Sequence, residues 1–292
     1  MITFVVFHAN LPGSQIDVVP FAKGTRPDYV DMAAMAFQSA ALFHPDCRRV
    51  ILTDDATAFP GLPSDVEVIR RPLDPTKVMY ERMVSELEFI RERGRDGDLL
   101  FIDADMLING HLESLFARDL DLGLTYRDQQ DMPINGGLIA VAQHGHAAAQ
   151  AFFGRVVDVM RTKYSHTLGW YCDQYAIIDT IGPERFERRP SDLIDVDGLR
   201  IALWPCDTHN YSPRNRWRNI LLRDSRRKII HFKGPRKRLM RPYWEVHLEP
   251  LTRAGSSNGG LLRLAARSTV ELLTPRKKPA ASDNESAART EP

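Results

Sequence analysis

The chain of 292 residues has only three cysteines, Cys47, Cys172 and Cys206, an odd number set far apart. They make neither a Cys-x-x-Cys pair nor a zinc spacing, which argues against a disulfide framework and points to a reducing compartment. Net charge is lacking too: 39 basic residues against 38 acidic ones leave +1, so no global field directs the protein to nucleic acid. No window approaches the ~18 apolar residues of a spanning helix. The opening Met1-Ile2-Thr3-Phe4-Val5-Val6-Phe7 carries no basic n-region or small-residue cleavage site and reads as a first strand. No glycine-rich turn directly follows that strand. Lys23-Gly24-Thr25-Arg26 therefore reads as ordinary loop, and residues 14–26 receive no element. The expectation is a cytoplasmic protein with room for a complete enzyme core.

What the chain does have is an alternation of short apolar runs and helical periodicity. Ile2–Phe7, Arg48–Thr53, Val66–Ile69 and Leu99–Ile102 read as strands. Between them, Tyr29–Phe43 carries Met32, Met35, Ala36, Ala40 and Phe43 at helical spacing behind the N-cap Asp28, and Val78–Glu92 reads as a second helix. That order is typical of a largely parallel α/β sheet. Further strands are expected over Leu120–Thr125, Leu138–Val141 and Leu199–Pro205. A helix is expected over Gly145–Lys163, and a short one near Leu112–Phe116. Asp54 and Asp55 read as a polar turn after the second strand.

Leu99-Leu100-Phe101-Ile102 is a strand buried on both faces, and it ends abruptly in Asp103-Ala104-Asp105. In an open α/β sheet ligands sit beyond the carboxyl ends of the strands, where two acids can hold a divalent cation that bridges phosphates. Asp-x-Asp alone is weak, since Asp96/Asp98, Asp119/Asp121 and Asp195/Asp197 repeat it. Only the 103/105 pair directly follows an unbroken apolar strand, and on extended backbone both side chains would point the same way. Arg82 lies on the second helix, either solvated or facing the site. Pro133-Ile134-Asn135-Gly136-Gly137 reads as a tight glycine turn, either a plain hairpin or a place where backbone approaches a ligand. Asp173-Gln174 either caps a helix or supplies a carboxylate for chemistry.

From Arg214 to Arg241 the chain is strongly basic, with Trp217, Phe232, Tyr243 and Trp244 interleaved. It reads as a solvated face or as a surface for an anionic, partly apolar partner such as an anionic membrane. Within it a short apolar strand delivers His231, with Gly234 and Lys237 three and six residues on. Residues 251–273 are read as a basic amphipathic helix for packing or for a membrane surface, and 274–292 as a disordered tail.

Phe101-Ile102-Asp103-Ala104-Asp105, Asn135-Gly136-Gly137-Leu138, Asp173-Gln174 and His231-x-x-Gly234-x-x-Lys237, in that order, resemble the family 8 retaining glycosyltransferases over about residues 1–245. The resemblance implies a GT-A fold over residues 1–250, a Rossmann-like mixed sheet, mostly parallel, flanked by helices. It implies that Asp103, Asp105 and His231 ligate Mn²⁺ or Mg²⁺, and that Lys237 and Gly234 meet the donor phosphates. Arg82, Ala104, Asn135, Gly136 and Gly137 would hold the donor, with Asp173 and Gln174 the catalytic candidates. Leu203-Trp204-Pro205 with Asn210 resembles the family's segment near the acceptor. The implied reaction moves a sugar from a nucleotide-diphospho-sugar, a UDP-hexose by resemblance, to a hydroxyl of a glycan, glycolipid or protein, with retention. An inverting transferase using Asp173 as base, and a binding module built on the 214–241 surface, are the rival readings. The chain departs from the family in two places. His8-Ala9-Asn10-Leu11-Pro12 stands where the base is read, and Lys237-Arg238-Leu239 replaces the usual Lys-Pro-Trp, its aromatic sought in Tyr243 or Trp244.

Overall fold

The apolar runs become strands β1 (Ile2–Phe7), β2 (Arg48–Thr53), β3 (Glu67–Arg70), β4 (Asp98–Ile102), β5 (Met106–Ile108), β6 (Leu122–Tyr126), β7 (Ile134–Val141), β8 (Leu193–Val196), β9 (Leu199–Pro205) and β10 (Ile229–His231). The main helices are α1 (Tyr29–Phe43), α2 (Val78–Arg93), α3 (His146–Lys163) and α4 (Cys172–Ile181). The structure, a computed structural model, describes residues 1–10, 28–93, 96–117, 119–169, 171–188 and 190–252. The loop 14–26 and the tail 274–292 lie outside the described residues. So does all but the first two residues of the helix expected over 251–273.

Eight strands form one sheet in the order β3-β2-β1-β4-β7-β6-β9-β8, and β5 pairs with β10 in a separate antiparallel ribbon. In the sheet, β7 runs against both β4 and β6, and β8 runs against β9, while all other pairings are parallel. The carboxyl ends of β1, β4, β6 and β9 therefore share one edge, and the reversed β7 begins at that same edge.

Alternation along β4 sends Leu99 and Phe101 to one face and Leu100 and Ile102 to the other. Phe101 meets side chains of α2 and α3, including Phe89 and Phe153, and its burial contributes about 2–3 kcal/mol. The opposite face is covered by α1 through Ala33, Ala36, Phe37 and Ala40. Helix α1 starts where Asp28 accepts a hydrogen bond from the Asp31 amide at 3.0 Å. Its outer side, Met32 and Met35, is covered in turn by Phe232, Leu239, Met240, Tyr243 and Trp244.

Three expectations are corrected here. The aromatic residues of the basic run are largely core, with Phe232, Tyr243 and Trp244 buried against α1, so neither Tyr243 nor Trp244 reaches the site. And Asn135-Gly136-Gly137 is no turn: it lies within β7, and the chain reverses earlier, where the Arg127 amide donates to Pro133 O and that of Met132 to Gln129 O. The β6–β7 register jumps from Leu124↔Ile139 to Thr125↔Asn135, so residues 136–138 bulge away from β6. Trp204 is structural as well; its ring fills the space above Gly123, where a Cβ would stand 2.1 Å from it. Strands β5 and β8 have no counterpart in the sequence reading. Among the described residues, no helix is long and apolar enough to cross a membrane.

Candidate functional site

Three backbone features bring the sequence motifs to one point. β4 ends at Ile102, and Asp103-Ala104-Asp105 forms a turn in which the Met106 amide donates to Asp103 O at 3.1 Å. The two carboxylates therefore converge through a turn, not through the strand alternation expected from sequence. The Asp103 amide donates to Gly137 O at 3.0 Å, fixing the bulge of β7 beside them. The β5–β10 ribbon pairs His231 with Met106, and the Phe232 amide donates to Asp105 O at 2.9 Å. A residue 126 positions away in sequence from Asp105 is thus held next to it by register.

His231 Nε2 lies 3.0 Å from Asp105 Oδ1 and 3.5 Å from Asp103 Oδ2. Behind the ring, Nδ1 donates to Asn210 Oδ1 at 2.8 Å, while the Asn210 amide donates to Thr125 Oγ1 and Asn135 Oδ1 at 2.8 and 2.7 Å. This bonding assigns the ring proton to Nδ1 and leaves the Nε2 lone pair facing the two carboxylates. Burial lowers the His231 pKa despite the raising effect of Asp105, so the neutral ring is favoured. One candidate ligand atom from each of the three side chains lies within 4.8 Å of the others. An imidazole lone pair and two carboxylates facing one point repel one another unless a cation joins them, and oxygen-rich sets with one imidazole suit Mn²⁺ or Mg²⁺. The residues present fit a divalent metal. Asn210, assigned by resemblance to the acceptor side, instead sits buried behind His231 because the chain turns there after the short helix Cys206–His209.

Arg82 is buried, not solvated. Its Nε donates to Glu86 Oε1, Nη1 to Asp103 Oδ1 and Nη2 to Gly136 O, at 2.8, 2.8 and 2.9 Å, tying α2 to the ends of β4 and β7. Asp173 and Gln174 lie in the first turn of α4, just after Tyr171, whose φ of +58° is strained for a residue with a side chain. Gln174 Oε1 is 3.4 Å from Asn135 Nδ2, and Asp173 packs against Gly136 with its Oδ1 buried and unbonded among the described residues. Lys237 pairs with Asp105 Oδ2 and lies over the Tyr29 ring. Burial works against ionisation of Asp105, but the Lys237 ammonium holds its carboxyl well below the usual range.

The side chains of Arg82, Asp103, Asp105, Asn135, Asp173, Gln174, His231 and Lys237 line a cavity of about 550 Å³, joined by Ala104, Gly137 and Gly234. At the β1 end the cavity is aromatic: the His8 and Tyr29 rings stack at 5.4 Å. Sequence reasoning placed His8 only as part of the loop where the base is read, and missed the lining residues Phe7, Tyr29, Arg127, Gln129, Met132, Tyr171 and Lys233. Phe7 and Arg127 stand at or just past strand ends, so the strand-end rule that found Asp103 would have found them. Much of the remaining basic run is engaged internally. Arg223 donates to Asn109, Arg226 pairs with Asp224, Arg238 donates to Asn215 and Arg241 pairs with Asp31.

No protein-family model matches the sequence, and no curated protein matches it. Solved structures do. The apo form of the glycosyltransferase GlyE of Streptococcus pneumoniae TIGR4 matches with a TM-score of 0.50 at 13% identity, over 91% of this chain and 63% of that one. The fold is of the GT-A type. The chain thus spans less than two thirds of GlyE's length. The galactosyltransferase LgtC, in complex with donor and acceptor sugar analogues, matches at 14% identity and a TM-score of 0.49, over 94% of this chain and 98% of that one. A glycosyltransferase involved in glycosylation of the major capsid of PBCV-1 matches at 10% and 0.48, over 82% and 98%. Within this GT-A fold the cavity opens at the shared carboxyl edge of the parallel strands, where ligands of α/β sheets bind.

Two expected results arise directly from this geometry. A Cβ at Gly137 would stand 2.5 Å from Asp103 Oδ2, 2.8 Å from His231 Cε1 and 2.9 Å from Met106 Cε. Gly137→Ala is therefore expected to weaken Mn²⁺ binding, measured by titration calorimetry, by about 10–100-fold, as displaced support of metal ligands does elsewhere. Unchanged affinity would contradict the cluster's role. The second concerns Asp173, whose carboxyl burial pushes up, with Arg82 opposing. The folded chain keeps this proton to higher pH than the unfolded chain, so ionisation lowers stability as pH rises above the ordinary value of about 3.9. Asp173→Asn is expected to melt no lower than wild type at neutral pH, with the difference shifting in favour of wild type on acidification. A loss of several degrees at neutral pH would contradict this.

Proposed function

We propose that the chain is a metal-dependent glycosyltransferase that moves a hexosyl unit from a UDP-sugar to an acceptor hydroxyl with retention. The observation that carries this reading is the Asp103, Asp105, His231 cluster, set between the aromatic β1 end of the cavity and the polar wall formed by Arg82, Asn135, Asp173 and Gln174. In this reading Asp103, Asp105 and His231 hold Mn²⁺ or Mg²⁺, which when bound supplies Lewis-acid neutralisation of the departing diphosphate.

The chain's own residues do the rest. Tyr29 and His8 offer rings for the base, and Lys237 exchanges its Asp105 carboxylate for a donor phosphate as charge builds there. Gly234 adopts a φ of +53°, and nothing lies within 4 Å of where its Cβ would be, so phosphate can approach its backbone. Arg82 holds Asp103 and the Gly136 carbonyl in place, while Ala104 and the bulged Gly137 shape the floor. The unbonded Asp173 Oδ1 and the Gln174 amide face the sugar, where the transition state gains oxocarbenium character. Asp173 packs on Gly136 alongside Gln174, which favours contact with the donor sugar over service as a base on the acceptor. The test is release of UDP from UDP-glucose and UDP-galactose by the full chain. Release is expected with Mn²⁺ and should stop on chelation, and the product's anomeric centre, read by NMR, should keep the donor's configuration. Release that persists in chelator, or an inverted product, would overturn the corresponding part.

A further inference from the structure

We propose that the end of the cavity formed by Arg127 and Lys233 binds an oxyanion, a carboxylate or phosphate, carried by the sugar substrates next to the reacting centre. The inference rests on the glycosyl-transfer reading and deepens it by naming a charge on the substrate. Among the described residues, four cationic side chains of lysine and arginine line the cavity: Arg82, Arg127, Lys233 and Lys237. Two are matched by acids. Arg82 pairs with Asp103 and Glu86, and Lys237 pairs with Asp105. The other two make no close ion pair with a carboxylate among the described residues. Arg127 spends only its Nε, on the Met132 carbonyl at 2.6 Å, and Lys233 bonds only through its backbone, its amide to His231 O and its carbonyl to Arg236.

Both side chains are half-buried, and each lies within electrostatic range of the other and of Cys206; Asp103 and Asp105 also act on Lys233, though neither forms an ion pair with it. Like charges held together in a partly desolvated pocket are unfavourable until an anion joins them. An arginine with a free guanidinium edge beside a lysine is a chemically suited receptor for carboxylate or phosphate. Position gives the anion its place. Arg127 follows β6, which is separated from β1 by β4 and β7 in the sheet order. The unmatched cations and the His8–Tyr29 rings therefore lie on opposite sides of the Asp103–Asp105 turn. With the base on the aromatic side and the diphosphate at the centre, what remains for the β6 side is the transferred sugar or the acceptor.

The experiment uses the full chain with Mn²⁺ and compares matched probes. In the donor arm, UDP-glucuronate is compared with UDP-glucose by titration calorimetry. In the acceptor arm, glucose 6-phosphate is compared with glucose as ligand of the UDP-saturated protein. The expected result is a preference of about tenfold or more for the anionic probe in one arm, the arm naming which substrate carries the charge. That preference is expected to fall below about threefold in Lys233→Met and, independently, in Arg127→Gln. Because the readout is a ratio within each protein, a variant that folds poorly is replaced by the other. Wild-type protein that binds UDP with Mn²⁺ yet shows no anion preference in either arm overturns the inference alone. So does a preference that survives both substitutions. Wild-type protein that fails to bind UDP with Mn²⁺ overturns the underlying reading and this inference with it.

Discussion

Asp105→Asn is expected to lower the turnover number for sugar transfer by about 10³-fold, equivalent to about 4 kcal/mol of lost transition-state stabilisation, while the chain stays folded. Asp105 is 5% exposed and is the point where the cluster's charges meet: His231 faces one oxygen, and Lys237 pairs with the other. The amide keeps the side chain's volume and an oxygen for Lys237 but removes the negative charge that a divalent cation requires. Alanine would be a poorer test, since it would also strand the Lys237 ammonium against His231 without a partner. A variant with calorimetric Mn²⁺ affinity and turnover within threefold of wild type would remove Asp105 from the site.

Arg82→Met is expected to destabilise the fold by about 3–5 kcal/mol in urea denaturation, the loss typical of breaking a buried ion pair from one side. Arg82 and Glu86 are 7% and 1% exposed, and Glu86 Oε2 already lacks a hydrogen bond among the described residues. Removing the guanidinium leaves that carboxyl buried with no counter-charge. Burial already pushes it up despite Arg82, so the variant's deficit should shrink as pH falls and Glu86 takes its proton. Adding Glu86→Leu is expected to recover most of the stability, because replacing both members of a buried pair with apolar groups is near neutral. It should not recover transfer, since Asp103 and the Gly136 carbonyl would still lack the Arg82 contacts that hold them. A double variant no more stable than the single one would show that the pair is not a unit.

The sheet was readable because its strands are short, apolar and buried on both faces, and Leu99–Ile102 carries that pattern in its purest form. The edge elements were not. β8 is half exposed, and β5 is three residues long, so neither offers enough periodicity to distinguish it from loop. Asp103, Asp105 and His231 could be picked out by spacing, yet their meeting depends on the pairing of β5 with β10, which no local pattern encodes. Glycine composition misled at Asn135-Gly136-Gly137. The pair reads as a turn, whereas Gly137 is needed inside a strand so that the Asp103 carboxylate and the His231 ring can approach the backbone. The basic run misled in the other direction: its charge is visible in sequence, but which cations find acids and which face the cavity is decided only by packing.

The central claim is that the cluster holds a metal and the metal holds a nucleotide diphosphate. A thermal-shift titration with UDP, with and without Mn²⁺, on the wild-type chain and on Asp105→Asn, tests it directly, since a ligand bound only by the folded state raises its melting temperature. The account predicts a UDP-dependent rise in wild type that requires Mn²⁺ and disappears in Asp105→Asn. A rise of equal size without Mn²⁺, or one preserved in Asp105→Asn, would contradict it.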